Sequence, residues 1–158
     1  MELLGVSLAV LGAAIAAGLA GAGSTMGVSQ TGQTGAGLVA EDESQFGNVL
    51  LLSALPGSQA IYGLLASILI LQNTGVLTGE FASITWQDGL IFAFAGIPVG
   101  ITCLASGQFQ GKVLASGIQV IAKDKSKIGQ VIILAALVET FAVFGLLISI
   151  LMINGVQI

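Results

Sequence analysis

Four apolar runs, each long enough to cross a lipid bilayer, constrain this chain more than any other feature of it. They cover roughly Leu3 to Gly27, Asn48 to Gln72, Gly89 to Gly111 and Ile128 to Ile153, and about 20 apolar residues suffice for one helical crossing. The first and third should continue as helix past the hydrocarbon, because Val28 to Ala40 and Lys112 to Ala122 keep small and apolar residues without proline. Breaks are expected at Glu41-Asp42-Glu43-Ser44, from Asn73-Thr74-Gly75 through Asp88, and at Lys123 to Lys127. The reading is an all-α membrane protein whose short connections leave no room for a soluble domain. A mean hydropathy of +1.02 with only 8% charged residues agrees, since soluble domains carry about 25%.

Several function classes drop out early. The chain has no histidine, so imidazole metal sites, histidine-ligated haem and histidine-based triads are excluded. Cys103 is alone and lies in an apolar run, which suits a small buried filler. The net charge of −4 comes from acids mostly in the connections and points to no particular partner. Met1-Glu2-Leu3-Leu4 lacks the positive region of a secretory signal, so the first run is expected to be a retained span.

Orientation follows from lysine. All four, Lys112, Lys123, Lys125 and Lys127, lie at or beside the third connection, and the positive-inside rule places that connection in the cytoplasm. Four spans then put both termini outside and the loops at 41–46 and 123–127 inside.

The two halves repeat at an offset of 82 residues. Ala40 aligns with Ala122, Asp42 with Asp124, Ser44 with Ser126 and Gly47 with Gly129, and Gly63-Leu64-Leu65 with Gly145-Leu146-Leu147. The unit is a hairpin of two spans, so both copies share one orientation; this is a direct repeat, unlike the inverted repeats of many transporters. Residues 1–78 form the first hairpin and 79–158 the second. A duplicated hairpin suggests stacking into an array or ring. The first span, crowded with small residues that include Gly23 and Gly27 at small-xxx-small spacing, suits a tightly packed inner layer. The second and fourth, rich in Leu, Ile and Val, suit a lipid-facing position.

Against this background Glu139 is an anomaly, a lone carboxylate in the middle of the fourth run. At bilayer mid-depth an acidic side chain costs about 2.5 to 3.5 kcal/mol even on lenient scales, so it marks a functional site by default. In the repeat register its counterpart is Gly57, and only one half keeps the acid. Other polar groups at depth are Ser58 and Gln59, Tyr62 one turn beyond Ser58, and Gln108 and Gln110 on the third run. A carboxylate, amide carbonyls and a hydroxyl make an oxygen-rich pocket with one negative charge, which suits a hard monovalent cation such as Na⁺. A proton would need only a carboxyl of raised pKa. Pro56 lacks an N–H and should kink the second span, freeing the Leu52 carbonyl, with Gly57 adding slack. Pro98 is expected to act similarly on the third, without a polar cluster beside it.

Leu55-Pro56-Gly57-Ser58-Gln59 with Tyr62, Gln110-Gly111-Lys112-Val113, Gly117-Ile118-Gln119 and Val138-Glu139-Thr140-Phe141 resemble the duplicated proteolipid (K or c) subunit of V-type ATPases, above all the bacterial sodium-translocating kind. The resemblance covers nearly the whole chain. It implies a non-catalytic rotor subunit, one protomer in a ring of identical copies set in lipid. The ring turns against a stator membrane subunit, meets a central-stalk subunit at its cytoplasmic loops, and is coupled to ATP hydrolysis or synthesis in a soluble head. It further implies that Glu139 carries Na⁺, or alternatively H⁺, with Gln110, Ser58, Gln59 and the Leu55 carbonyl as ligands and Tyr62 donating to the carboxylate. Sodium members of the family commonly have Thr where Ser58 stands, and the hydroxyl is kept. No organic cofactor and no nucleic acid are implied. A small secondary cation transporter fits poorly with a direct repeat and one carboxylate. A structural or pore-forming four-helix protein leaves the polar set unexplained.

Overall fold

The computed structural model describes residues 2–79 and 84–156. Helix α1 runs over Glu2–Glu41, and after a 3₁₀ turn at Glu43–Gln45 the chain returns through α2 (Phe46–Ala54) and α3 (Ser58–Asn73). Helix α4 (Trp86–Lys123) leads through a second 3₁₀ turn at Lys125–Lys127 into α5 (Ile128–Asn154). Among the described residues there is no strand. Four helical stretches are long and apolar enough to cross a membrane, with α2 and α3 counting as one crossing. The 40 residues of α1 and 38 of α4 reach about 60 Å at 1.5 Å per residue, roughly twice a hydrocarbon core. The expected extensions beyond the first and third apolar runs are therefore helical. Of the second connection, residues 80–83 lie outside the described residues.

Local chemistry sets the ends of these helices. Gly75, with φ 71°, terminates α3 in the left-handed conformation that glycine adopts without strain. Thr85 caps α4: its hydroxyl accepts from the Asp88 N–H at 3.2 Å, and Asp88 Oδ2 accepts the Thr85 N–H at 3.1 Å.

The duplicated sequence gives duplicated turns. Asp42 (φ −145°, ψ 94°) and Asp124 (φ −149°, ψ 99°) are both extended N-caps, and each accepts the N–H of the serine two residues on at 3.0 Å and its hydroxyl at 2.6 Å. The two turns are tied together by Lys125, whose Nζ lies 2.9 Å from Asp42 Oδ2 and donates to Ser44 Oγ at 2.7 Å. The Ser44 hydroxyl first and Lys125 second pull the Asp42 carboxyl from its ordinary 3.8 down to about 2. With the folded value depressed, the tie contributes fully above the ordinary value and is lost as pH falls towards about 2. In a carboxyl titration by NMR, Lys125→Met should move the Asp42 midpoint upward; an unmoved midpoint would mean that Ser44 alone holds it down.

Packing centres on α1 against α4. Gly5, Gly12, Gly23 and Gly27 face Gly89, Gly96, Gly107 and Gly111, each pair 84 residues apart, and a Cβ on any of them would stand inside the opposing backbone. Residue numbers rise together along the seam, so α1 and α4 are parallel, as a direct repeat requires. Ala16 and Gly100 fill the gap, giving contact intervals of 7 and 4 residues in alternation. An 11-residue period is 3.67 residues per turn, close to the natural helix, so the contact line stays nearly straight along both helices. On the outer side the exposed faces of α2, α3 and α5 carry Leu50, Ile61, Leu64, Ile133, Leu137 and Phe144, among others.

Two apolar clusters fill the interior. One joins Ala9 to Ala20 of α1 with Ala66, Ile70, Phe92, Val99 and Ala142. The other, towards the tied turns, joins Leu38, Val49, Leu52, Leu114, Ile118 and Val131. A layer of buried polar side chains, Ser24, Gln59, Ser106 and Gln110, lies between them.

The two prolines differ in effect. Pro56 interrupts its span as a 3₁₀ turn over Leu55–Gly57, whereas α4 continues unbroken through Pro98. Contrary to expectation, hydroxyls do accompany Pro98. Ser149 Oγ accepts the Val99 N–H at 3.1 Å and Thr102 Oγ1 donates to the Pro98 carbonyl at 2.8 Å, stitching the helix where proline cannot.

Candidate functional site

Each residue singled out for the site arrives in one place, in the polar layer between the clusters. Glu139 is half-buried on α5. Its Oε1 accepts from the Tyr62 hydroxyl of α3 at 2.7 Å, and its Oε2 from Gln110 Nε2 of α4 at 3.2 Å. Both carboxylate oxygens therefore have a donor from a different helix. Gln110 is fully buried; its Nε2 also donates to the Ala135 carbonyl at 3.2 Å, and its Oε1 accepts from Gln59 Nε2 at 2.9 Å.

The 3₁₀ turn supplies the rest. It brings Ser58 and Gln59 to the start of α3, where the Ser58 hydroxyl donates to the Leu55 carbonyl at 3.0 Å and lies 3.3 Å from Gln59 Oε1. The Leu55 carbonyl also accepts the Ser58 N–H, so both of its lone pairs are engaged inside the turn. It reaches an ion only if the Ser58 hydroxyl turns away. Tyr62 lies one turn further along α3 and so faces the same side. Gln108 takes no part in the network described.

Ser106 belongs to the cluster and was missed in the sequence. Its hydroxyl accepts from Gln59 Nε2 at 3.1 Å and donates to the Val138 carbonyl at 3.0 Å, joining α3 to α5 beside Glu139. Its spacing, one turn before Gln110 on the same helix face, was the available signal. Ser24 plays a parallel part in the first hairpin, its Oγ accepting the Ala60 N–H at 2.7 Å just past the turn.

The cluster is chemically simple. It offers one negative charge, two amides, two aliphatic hydroxyls and a phenol in an otherwise apolar interior, with no histidine or thiol to perform nucleophilic or redox work. Such a set can hold a small cation or a proton reversibly at membrane depth, on the surface of a long-helix bundle built by duplication. Those features define the class of the chain, a proteolipid of a rotary ATPase. The family model for the C subunit of ATP synthase matches residues 11–70 and again 93–152, two segments offset by the same 82 residues as the repeat. The chain belongs to that family, as a duplicated, non-catalytic, multi-pass rotor subunit of a V/A-type ATPase whose relatives form rings. It is 40% identical over 149 residues, 94% of its length, to the K subunit of the V-type sodium ATPase of Enterococcus hirae, of which it covers 92%. It is also 40% identical over 149 residues to the K subunit of the A-type ATP synthase of Methanocaldococcus jannaschii and spans 63% of that longer relative.

Proposed function

We propose that this protein carries Na⁺ across the membrane by rotation, one ion per chain, at Glu139. The observation that supports it best is the shell of further oxygens behind the carboxylate: Gln110 Oε1, Gln59 Oε1, Ser58 Oγ and the Leu55 carbonyl, linked in one series of hydrogen bonds. A proton needs no such shell. A primary amide turned over about its Cγ–Cδ bond keeps nearly the same outline, so Gln110 can present oxygen where its nitrogen now meets Glu139. Tyr62 holds Oε1 and fixes the direction of the carboxylate. The K subunit of the V-type sodium ATPase from Enterococcus hirae, similar over nearly the whole chain, agrees with the choice of ion.

The cycle follows from charge. With the ion bound the site is neutral and tolerates lipid; beside the stator, a fixed positive charge favours the bare carboxylate and releases the ion. Moving one charge across the membrane costs about 2.3 kcal/mol per 100 mV, so several steps must share one ATP. In this reading residues 1–78 and 79–158 are the two hairpins, the tied turns face the cytoplasm and the central stalk, and the termini face outside. Carbodiimide labelling of Glu139 at fixed pH tests the ion. Slower labelling in NaCl than in KCl of equal ionic strength is expected, and equal rates would establish the proton as cargo instead.

A further inference from the structure

We infer that the seam between neighbouring copies in the ring repeats the internal α1·α4 seam with the hairpins exchanged. The groove between α4 and α5 then receives α1 of the next chain, and a disused copy of the ion site lies plugged there.

The repeat makes this a matter of register. Within the chain, Gly12, Gly23 and Gly27 of α1 contact Gly96, Gly107 and Gly111 of α4. Moving each residue to its counterpart 82 positions away turns the α1 face into Phe94, Ala105 and Phe109 of α4. The same shift turns the α4 face into Ala14, Thr25 and Ser29 of α1. All six are exposed in the single chain. The faces also match in size: bulky Phe94 and Phe109 project from α4, while on α1 a Cβ added to Gly18 or Gly21 would meet nothing within 4 Å.

The groove is already formed. A cavity of about 270 Å³ between α4 and α5 is lined by Ala105, Ser106, Phe109, Val138 and Phe141, with little polar surface. Its counterpart in the first hairpin is the space beside Gly23, Gly27 and Pro56, which α4 of the same chain fills with Gly107. Continuity of that interface into the next repeat places a second copy of this chain in the open groove.

The consequence for the polar layer is specific and rests on the ion site proposed above. The shift that carries one seam into the other carries Tyr62 and Gln59 to Phe144 and Phe141. It carries Gln110 and Glu139 to Val28 and Gly57 of the neighbour. Phe141 and Phe144, 64% and 59% exposed in the single chain, thus gain a cover and fill the position that hydroxyl, amide and carboxylate occupy at the internal seam. Duplication has left one working site and one apolar plug per chain.

Disulfide trapping in membranes containing the assembled complex tests the register independently of the ion carried. In a Cys103→Ala background, the pairs Ala105→Cys with Thr25→Cys and Phe94→Cys with Ala14→Cys bring α-carbons into bonding range only across the proposed seam. Ala105→Cys with Ala36→Cys shifts the partner by about 16 Å along the same face of α1 and serves as the control. Oxidation should convert the monomer band into a reducible ladder of multimers for at least one register pair, and not for the control. A ladder from the control, or none from either register pair in rings shown intact before oxidation, would overturn the seam. Glu139 labelling remains the separate measure of the ion site.

Discussion

Replacing Glu139 by Gln is expected to abolish ion transport while leaving the ring assembled. The substitution is nearly isosteric and keeps an oxygen for Tyr62 and Gln110, so packing between α3, α4 and α5 survives. It removes the only acidic side chain within the four apolar runs. Hydrogen bonds and contacts to a charged group contribute about 1.5 to 3 kcal/mol each, so losing the charge should weaken cation binding by at least about a hundredfold. ATP-driven ²²Na⁺ uptake into vesicles should fall to background, with the ring unchanged by native mass spectrometry. Sodium-dependent turnover persisting in this variant would remove Glu139 from the mechanism.

The second large effect concerns assembly. Gly96→Leu should leave no recoverable ring, because even a Cβ at this position would stand against the Gly12 backbone. Overpacking costs about 1 to 3 kcal/mol where side chains can yield, and here the obstacle is main chain, which cannot. Gly37→Ala is the matched control. A Cβ there meets nothing within 4 Å, and alanine favours helix by about 1 kcal/mol, so heat tolerance of the ring should hold or rise. Comparable ring yield from Gly96→Leu and wild type, on a sizing column in detergent, would contradict the close α1·α4 approach.

What the sequence made legible depended on contrast. Glu139, Gln110, Gln59, Ser58 and Tyr62 stood out because polar groups are costly in an apolar run, and the structure gathers all five within hydrogen-bonding reach. Ser106 lacked that contrast: in Ala105-Ser106-Gly107 a serine looks like one more small packing residue, and only its contacts with Gln59 and Val138 separate it. The glycine seam was half visible for the same reason. Gly18 and Gly21 are as small as Gly23 and Gly27, and which pair touches α4 is decided by how the helices dock, not by local composition. Pro98 shows the opposite error. The local rule predicts a break, but the neighbouring Ser149 and Thr102 supply tertiary hydrogen bonds that the rule cannot see.

The glycine seam has a thermal consequence. Glycine has no rotamers to freeze, so closing α1 on α4 costs no side-chain entropy along the seam. In a bilayer the surface it buries is withdrawn from lipid chains, so the attraction is dispersion rather than expulsion of water. Hydrophobic contacts weaken on cooling because of the heat capacity of hydrated apolar surface. The membrane-embedded part of this seam has almost no such term, and its grip should hold in the cold.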